Sequence, residues 1–365
     1  MKKNRLICIG EWSITSGEDP VSIVSIEHCE ECNSGSELKL GSAVASYITA
    51  TIFTPNNEFS ISDGTEFGYY VTEGTNYEII GLYTAERPKR TSRNMLKIIA
   101  YDRMVRFDID ITSWIAGNDF SGKTLFELLR WLCRICGVVL KNESIPNGDY
   151  IIDDFNGEMT GRQLLQYIAE VAGCFARITA DGKLELAWYQ ENTYGYNVGF
   201  NDAYDSPVEL ADGSELYTSD GLQFVGKTES AYYFMNSLSF DDYYIRRITG
   251  IKIQNSEDEE GYIYRSDLLG AGNTYRILKN PLLSNMDPNR LEPVAQTIVE
   301  RLWKLHYIPA KVTIPATWDV RAGDAIHIDD VNGRAIYTLA MSCKRKGQKL
   351  TIQSKGMKEE KEYVE

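Results

Sequence analysis

Histidine is scarce in this chain, with three in 365 residues: His28, His306 and His327. That leaves little material for catalytic metal or triad chemistry. Cysteine is odd in number, at seven, which argues against a disulfide framework. Long apolar runs are missing as well. The best stretch, Leu125 to Leu140, is interrupted by Glu127, Arg130 and Arg134, so no membrane span is expected. The run Leu6 to Ile9 after Lys2, Lys3 and Arg5 is too short for a signal-peptide core, and the expectation is a protein folded in a cytoplasm. Cations are in deficit, 38 against 52 anions, for a net charge of −14. Such a balance opposes an outer surface that grips phosphate backbones. What is present is core material. Hydrophobic residues make up 43%, and 23 Tyr, 12 Phe and 6 Trp exclude global disorder. The length suggests two or three domains.

The first hundred residues alternate like strands at Ala45–Phe53, Gly68–Val71, Tyr77–Tyr83 and Met95–Tyr101, with turn signals between them. An internal repeat follows. Residues 124–137 align without a gap onto 160–173, each copy running from a threonine to a glycine. Thr124 precedes Glu127, and Thr160 precedes Gln163, by the three residues of a capping box. Leu125, Leu128, Leu129, Leu132 and Cys136 share one helical face, as do Leu164, Leu165, Ile168 and Ala172. Gly137 and Gly173 are helix stops, and apolar strands are expected after them at Val138–Leu140 and Cys174–Ile178. A fainter repeat links Asp63–Gly74 to Gly323–Gly333. A later helix starts at Asp287-Pro288 and keeps its apolar spacing to His306, which is expected to face the helix dipole from the last turn. The resulting fold class is mainly β with an α+β insert: two related small β-barrels plus helix–strand domains. Residues 1–110 form the first barrel and 111–190 the insert with its two helix–strand units. Residues 191–355 form the second barrel with its embedded helix 288–306, and 356–365 a charged, disordered tail.

One motif imitates catalytic chemistry. Gly117-Asn-Asp-Phe-Ser-Gly122-Lys123-Thr124 matches the phosphate-binding loop at every fixed position, and Asp153-Asp154 could pose as the magnesium-binding strand. The repeat argues otherwise, because Thr124 aligns with the capping Thr160, and two helix–strand units are too few for that parallel-sheet fold. Cys29/Cys32 and Cys133/Cys136 have zinc-knuckle spacing but stand about a hundred residues apart, and Cys133 and Cys136 fall opposite Ala169 and Ala172. Ser256–Gly261 reads as a solvated hairpin tip rather than a calcium loop, and Asp329-Asp330 as the approach to an Asn332-Gly333 turn. Tyrosines 189, 194, 196, 204, 217, 232, 233, 243 and 244 suit edge strands or a protein interface better than a sugar platform. No catalytic, cofactor-binding or metal residue is assigned, and no cofactor is expected.

The order of parts resembles the tail hub proteins of long-tailed bacteriophages and phage-tail-like particles. The stretches "LKIIAYDRM", "GKTLFELLRWLCRICGVVL", "MTGRQLLQYIAEVAGCFARITADGKLEL", "YRILKNPLLSN" and "DVRAGDAIHIDDVNGR" carry the resemblance, across residues 40 to 356. It implies a non-enzymatic homotrimer at the tail tip or baseplate of a virion, assembled in the bacterial cytoplasm. That ring would adapt a six-fold tail tube or distal tail ring to a three-fold spike or fibre. It would meet the end of the tape-measure protein and surround the channel through which DNA passes. Relatives often carry a wall hydrolase after the hub; here such an activity would be a separate protein. The alternatives are a tail-tip protein that binds or hydrolyses peptidoglycan or polysaccharide and, more remotely, a nucleotide hydrolase.

Overall fold

The computed structural model describes residues 4–17, 20–73, 75–189, 236–266, 269, 272–329 and 335–358. Seven strands build the first unit: β1 (Asn4–Ile9), β2 (Trp12–Thr15), β3 (Ser22–Glu31), β4 (Tyr47–Phe53), β5 (Glu66–Glu73), β6 (Asn76–Ser92) and β7 (Met95–Tyr101). The last four lie where alternation places them. The first three complete the ring β3-β2-β1-β5-β6-β7-β4, which closes because β4 pairs back onto β3. Closure removes the unpaired edges that an open sheet would expose. Ile7, Ile14, Ile48, Ile52, Tyr69 and Ile98 fill its interior.

The middle of the chain contains α1 (Thr112–Ala116), α2 (Leu125–Ile135), α3 (Gly161–Val171), β8 (Phe175–Ile178) and β9 (Leu184–Ala187). Both capping boxes form. Thr124 Oγ1 accepts from the Glu127 amide at 3.2 Å while the Glu127 carboxylate accepts from the Thr124 amide at 2.8 Å. The Thr160–Gln163 pair repeats this at 3.3 and 2.8 Å. Gly137 and Gly173 stop the helices at φ 64° and 61°, a conformation that costs glycine nothing. Gly161 lets α3 approach α2: a Cβ there would lie 2.9 Å from the Phe107 carbonyl and 3.0 Å from Cys136 Sγ. The two units differ in their strands. The second copy yields β8, paired antiparallel with β9, whereas Val138–Leu140 contributes a single bridge, Leu140 to Leu184. The strand expected there is therefore corrected to one bridge.

The remainder comprises β10 (Ser237–Phe240), β11 (Ile248–Gln254), β12 (Tyr262–Arg265), β13 (Asn273–Leu278), α4 (Pro288–Leu302), β14 (Ala310–Pro315), β15 (Ala325–Asp329), β16 (Ala335–Leu339), β17 (Ser342–Lys346) and β18 (Lys349–Gln353). A small sheet, β12-β11-β13, packs on α4. Asp287 caps that helix by accepting from the Asn289 amide at 3.0 Å. The helix ends at Leu302, four residues before His306, so His306 is not in its last turn. Pro309 restricts the residue before it to extended geometry, and Ile308 already bonds the Tyr337 carbonyl at 2.8 Å. The second β unit is the run β10-β14-β18-β17 with the hairpin β15-β16, around its own core of Ile308, Val312, Ile336, Cys343, Leu350 and Ile352. Residues 191–235 of the expected second barrel and 359–365 of the expected tail lie outside the described residues.

Candidate functional site: the seam between the two β units

Strand β3 belongs to both units. One edge pairs with β4. The other meets β2 through a single parallel bridge, Thr15 to Ser22, and then pairs antiparallel with β17 from Glu27 to Glu31. A register shift between Ile23 and Ser25 resets the alternation. Ile26 and His28 then turn inward with Glu30, while Glu27 turns out to meet Lys344 at 2.6 Å and Lys346 at 3.3 Å. On β17 the inward residues are Cys343 and Arg345, so His28 and Arg345 face each other as cross-strand partners.

Arg345 is 2% exposed, which obliges every donor of its guanidinium to find an acceptor. It donates to the Thr317 carbonyl at 2.9 Å, to the Val320 carbonyl, to Glu30 at 3.4 Å and to His28 Nδ1 at 3.4 Å. Its guanidinium also lies over the Trp318 ring, 4.4 Å from the centroid. Glu30 takes a second cation, Arg321, at 2.6 Å. Burial pushes His28 down to about 3 against the pull of Glu30. The imidazole is therefore neutral: Nδ1 accepts from Arg345, and Nε2–H donates to the Tyr83 hydroxyl at 2.6 Å. Against burial, which alone would raise it, the Arg345 and Arg321 guanidiniums hold Glu30 at about 2. Trp318 comes from the segment after β14, yet it packs in the core of the first barrel, 5.6 Å from Tyr69 and 5.3 Å from His28. One unit thus plugs the other. Glu30 serves two guanidiniums, and Arg321 also reaches Glu78 at 4.0 Å; the chemistry of this arrangement is that of a joint.

The phosphate-loop imitation fails on its amides. The Gly122 N–H donates to the Ile152 carbonyl, Lys123 to Phe120, Thr124 to the Glu127 carboxylate and Leu125 to Tyr150. A phosphate cradle needs these donors free. Asp153, the would-be magnesium ligand, is held by Arg290 at 2.7 and 2.9 Å. Cys29 and Cys32 lie on and just after β3, and Cys133 and Cys136 on and just after α2. The described residues bring no three metal-ligating side chains together. Cys133 and Cys136 are buried in the helix contact, as small apolar residues would be.

His306 departs from its expected role. Its ring stacks on Tyr244 with centroids 4.0 Å apart, and burial lowers its proton affinity, the reverse of a charged dipole partner. His327 stacks on Tyr337 at 4.8 Å. Among the clustered tyrosines, Tyr189 is a core residue and Tyr243 donates to the Gly356 carbonyl at 3.1 Å. Tyr194, Tyr196, Tyr204, Tyr217, Tyr232 and Tyr233 lie outside the described residues, as do Asp330, Asn332 and Gly333. The Ser256–Gly261 tip connects β11 and β12 as expected. Reading the sequence missed the seam. Its one sequence signal is Trp318, a lone tryptophan directly before the quoted "DVRAGDAIHIDDVNGR" stretch.

The fold has known counterparts. The tail protein from Neisseria meningitidis MC58 superposes with a TM-score of 0.55 at 14% identity, over 97% of each chain. The 43 kDa tail protein of prophage MuSo2 from Shewanella oneidensis gives 0.53 at 11%, over 96% of each. The chain has the phage tail-protein fold. Both superpositions run nearly end to end, so the likeness takes in the second β unit as well as the closed barrel. No protein-family model matches the sequence, and no curated protein matches it. No helix among the described residues is long and apolar enough to cross a membrane.

Proposed function

We propose that this chain is a structural, non-catalytic hub at the distal end of a phage tail or tail-like particle. Three copies form a ring that adapts the six-fold tail tube or distal tail ring to a three-fold spike or fibre. The observation that carries this reading is the seam: two β units share one sheet across β3 and β17 and are locked by Arg345 and Trp318. A rigid pair of units repeated three times offers six β units in fixed relation, which is what matching six-fold to three-fold symmetry requires. The tail-protein fold along the whole chain supports a place in the virion, and the occupied amides around Lys123 support the absence of nucleotide chemistry. On this reading residues 1–110, 111–190 and 191–355 are the barrel, insert and second barrel, and the ring also meets the end of the tape-measure protein. Its bore passes DNA and carries more Asp and Glu than Lys and Arg, since a basic wall would bind the phosphate backbone and retard it. Mass measurement in solution and imaging of purified particles test the proposal. Trimers with a net acidic bore are expected. Stable monomers both free and in particles overturn the hub, and a net basic bore overturns the sliding wall.

A further inference from the structure

In a chain of net charge −14, the outer side of α2 gathers three exposed cations: Lys123, Arg130 and Arg134. Their side chains make no hydrogen bond or close ion pair among the described residues; Lys123 and Arg130 reach the Glu127 carboxylate only through space. They line an open cleft of about 300 Å³ floored by Phe120 and Trp131, whose rings meet edge to face at 4.7 Å. Two carboxylates share the cleft, and both are committed. Asp119 accepts from the Ser121 amide at 2.9 Å, and Glu127 caps α2.

The turn from β11 to β12 is the electrostatic opposite. Glu257, Asp258, Glu259 and Glu260 are consecutive and exposed, and their carboxylates have no ion-pair partner among the described residues. The backbone beneath them is held: Arg276 donates to the Glu257 carbonyl at 3.3 Å and Gln254 to the Glu259 carbonyl. The tip is therefore a fixed acidic projection.

We infer that the acidic tip of one copy seats in the α2 cleft of the next, and that three such contacts close the ring. This rests on the trimer reading and names the surfaces that make it. Copies carrying −14 each repel one another, so their association needs a local inversion of charge. The cleft supplies that inversion, and the same chain supplies its complement. Two different patches in contact are also what a three-membered ring uses, because an isologous patch closes at two copies.

Charge reversal tests the contact in the full-length chain by sedimentation. The wild type should be a trimer that loosens as salt is raised. Arg130→Glu with Arg134→Glu, or Glu257→Lys with Glu259→Lys, should each raise the dissociation constant at least about tenfold. All four substitutions in one chain should restore trimers, since each contact then pairs a reversed tip with a reversed cleft. The positions are exposed, and unchanged circular dichroism confirms that the variants fold. Trimers indifferent to both reversals, as when the cleft serves another tail protein, overturn this contact and leave the hub intact. Loss that the combination does not repair overturns it equally. A wild type that is monomeric at every concentration and in particles overturns the hub itself.

Discussion

The two β units solve the edge problem differently. The first closes on itself, with seven strands, a core of its own and β4 returning to β3. Among the described residues the second has four strands and a hairpin around a smaller core, and its β17 finds a partner in β3 of the first unit. The closed barrel depends on apolar packing. The second unit depends on its neighbour, through a buried arginine and a tryptophan lent to the other core. The difference teaches that independence belongs to the unit that closes on itself; a unit whose strand pairs outside it takes its position, and part of its stability, from the joint.

Breaking that joint should give the largest effect. Arg345→Ala leaves Glu30 with one cation, removes the nearer of the two guanidiniums over Trp318 and orphans two carbonyls, so a loss of about 3–5 kcal/mol is expected in urea unfolding. Both units should unfold together. Selective loosening of the second unit alone, seen by hydrogen exchange, would show the first to be independent of the seam. Next come core truncations that compare the units directly. Ile52→Ala in the closed barrel should cost about 2–5 kcal/mol, and Ile352→Ala toward the lower end of that range, because a smaller core has freer room to collapse. Equal costs would mean that the two cores are equally rigid.

Acid sharpens the comparison through His28. Its folded value, about 3, lies below its unfolded value near 6.5, so the unfolded chain binds the extra proton between them. Stability is thus full above about pH 6.5 and falls as the pH is lowered toward 3, by up to about 1.4 kcal/mol per pH unit. Glu30, depressed to about 2, adds its own loss below pH 4.5. Asp102 works the other way: burial raises it to about 6, so the folded state holds more protons between pH 6 and 4, and acidification there is stabilising. Substituting His28→Gln should flatten the fall in urea midpoint between pH 6.5 and 4.5. An unchanged slope would remove His28 from the account. The smallest effects concern the repeated helices. Thr124→Ala and Thr160→Ala should each cost about 1 kcal/mol through the lost cap, while Lys123→Ala should leave stability nearly unchanged. A nucleotide-dependent melting shift abolished by Lys123→Ala would reverse the reading of that loop.

Local chemistry was written plainly in the sequence. Thr124, Glu127 and Gly137, like Thr160, Gln163 and Gly173, act within one or two helical turns, so their spacing suffices to place α2 and α3. Alternation likewise placed β4, β5, β6 and β7, because a strand with one buried face repeats every two residues. Where the partner is remote, spacing carried no such information. Val138–Leu140 has strand composition but meets β9 at a single residue, and α4 stops short of His306 because β16 claims Ile308. The seam was the least visible, since His28, Glu30, Trp318 and Arg345 are spread over more than three hundred residues and read singly as surface charge and stray aromatics. Only the pairing of β3 with β17 brings them into one low-dielectric space, where burial makes their mutual bonds obligatory. Local hydrogen bonding and periodicity were determined by the sequence itself; which residues share a buried volume was decided by the closure of the sheet.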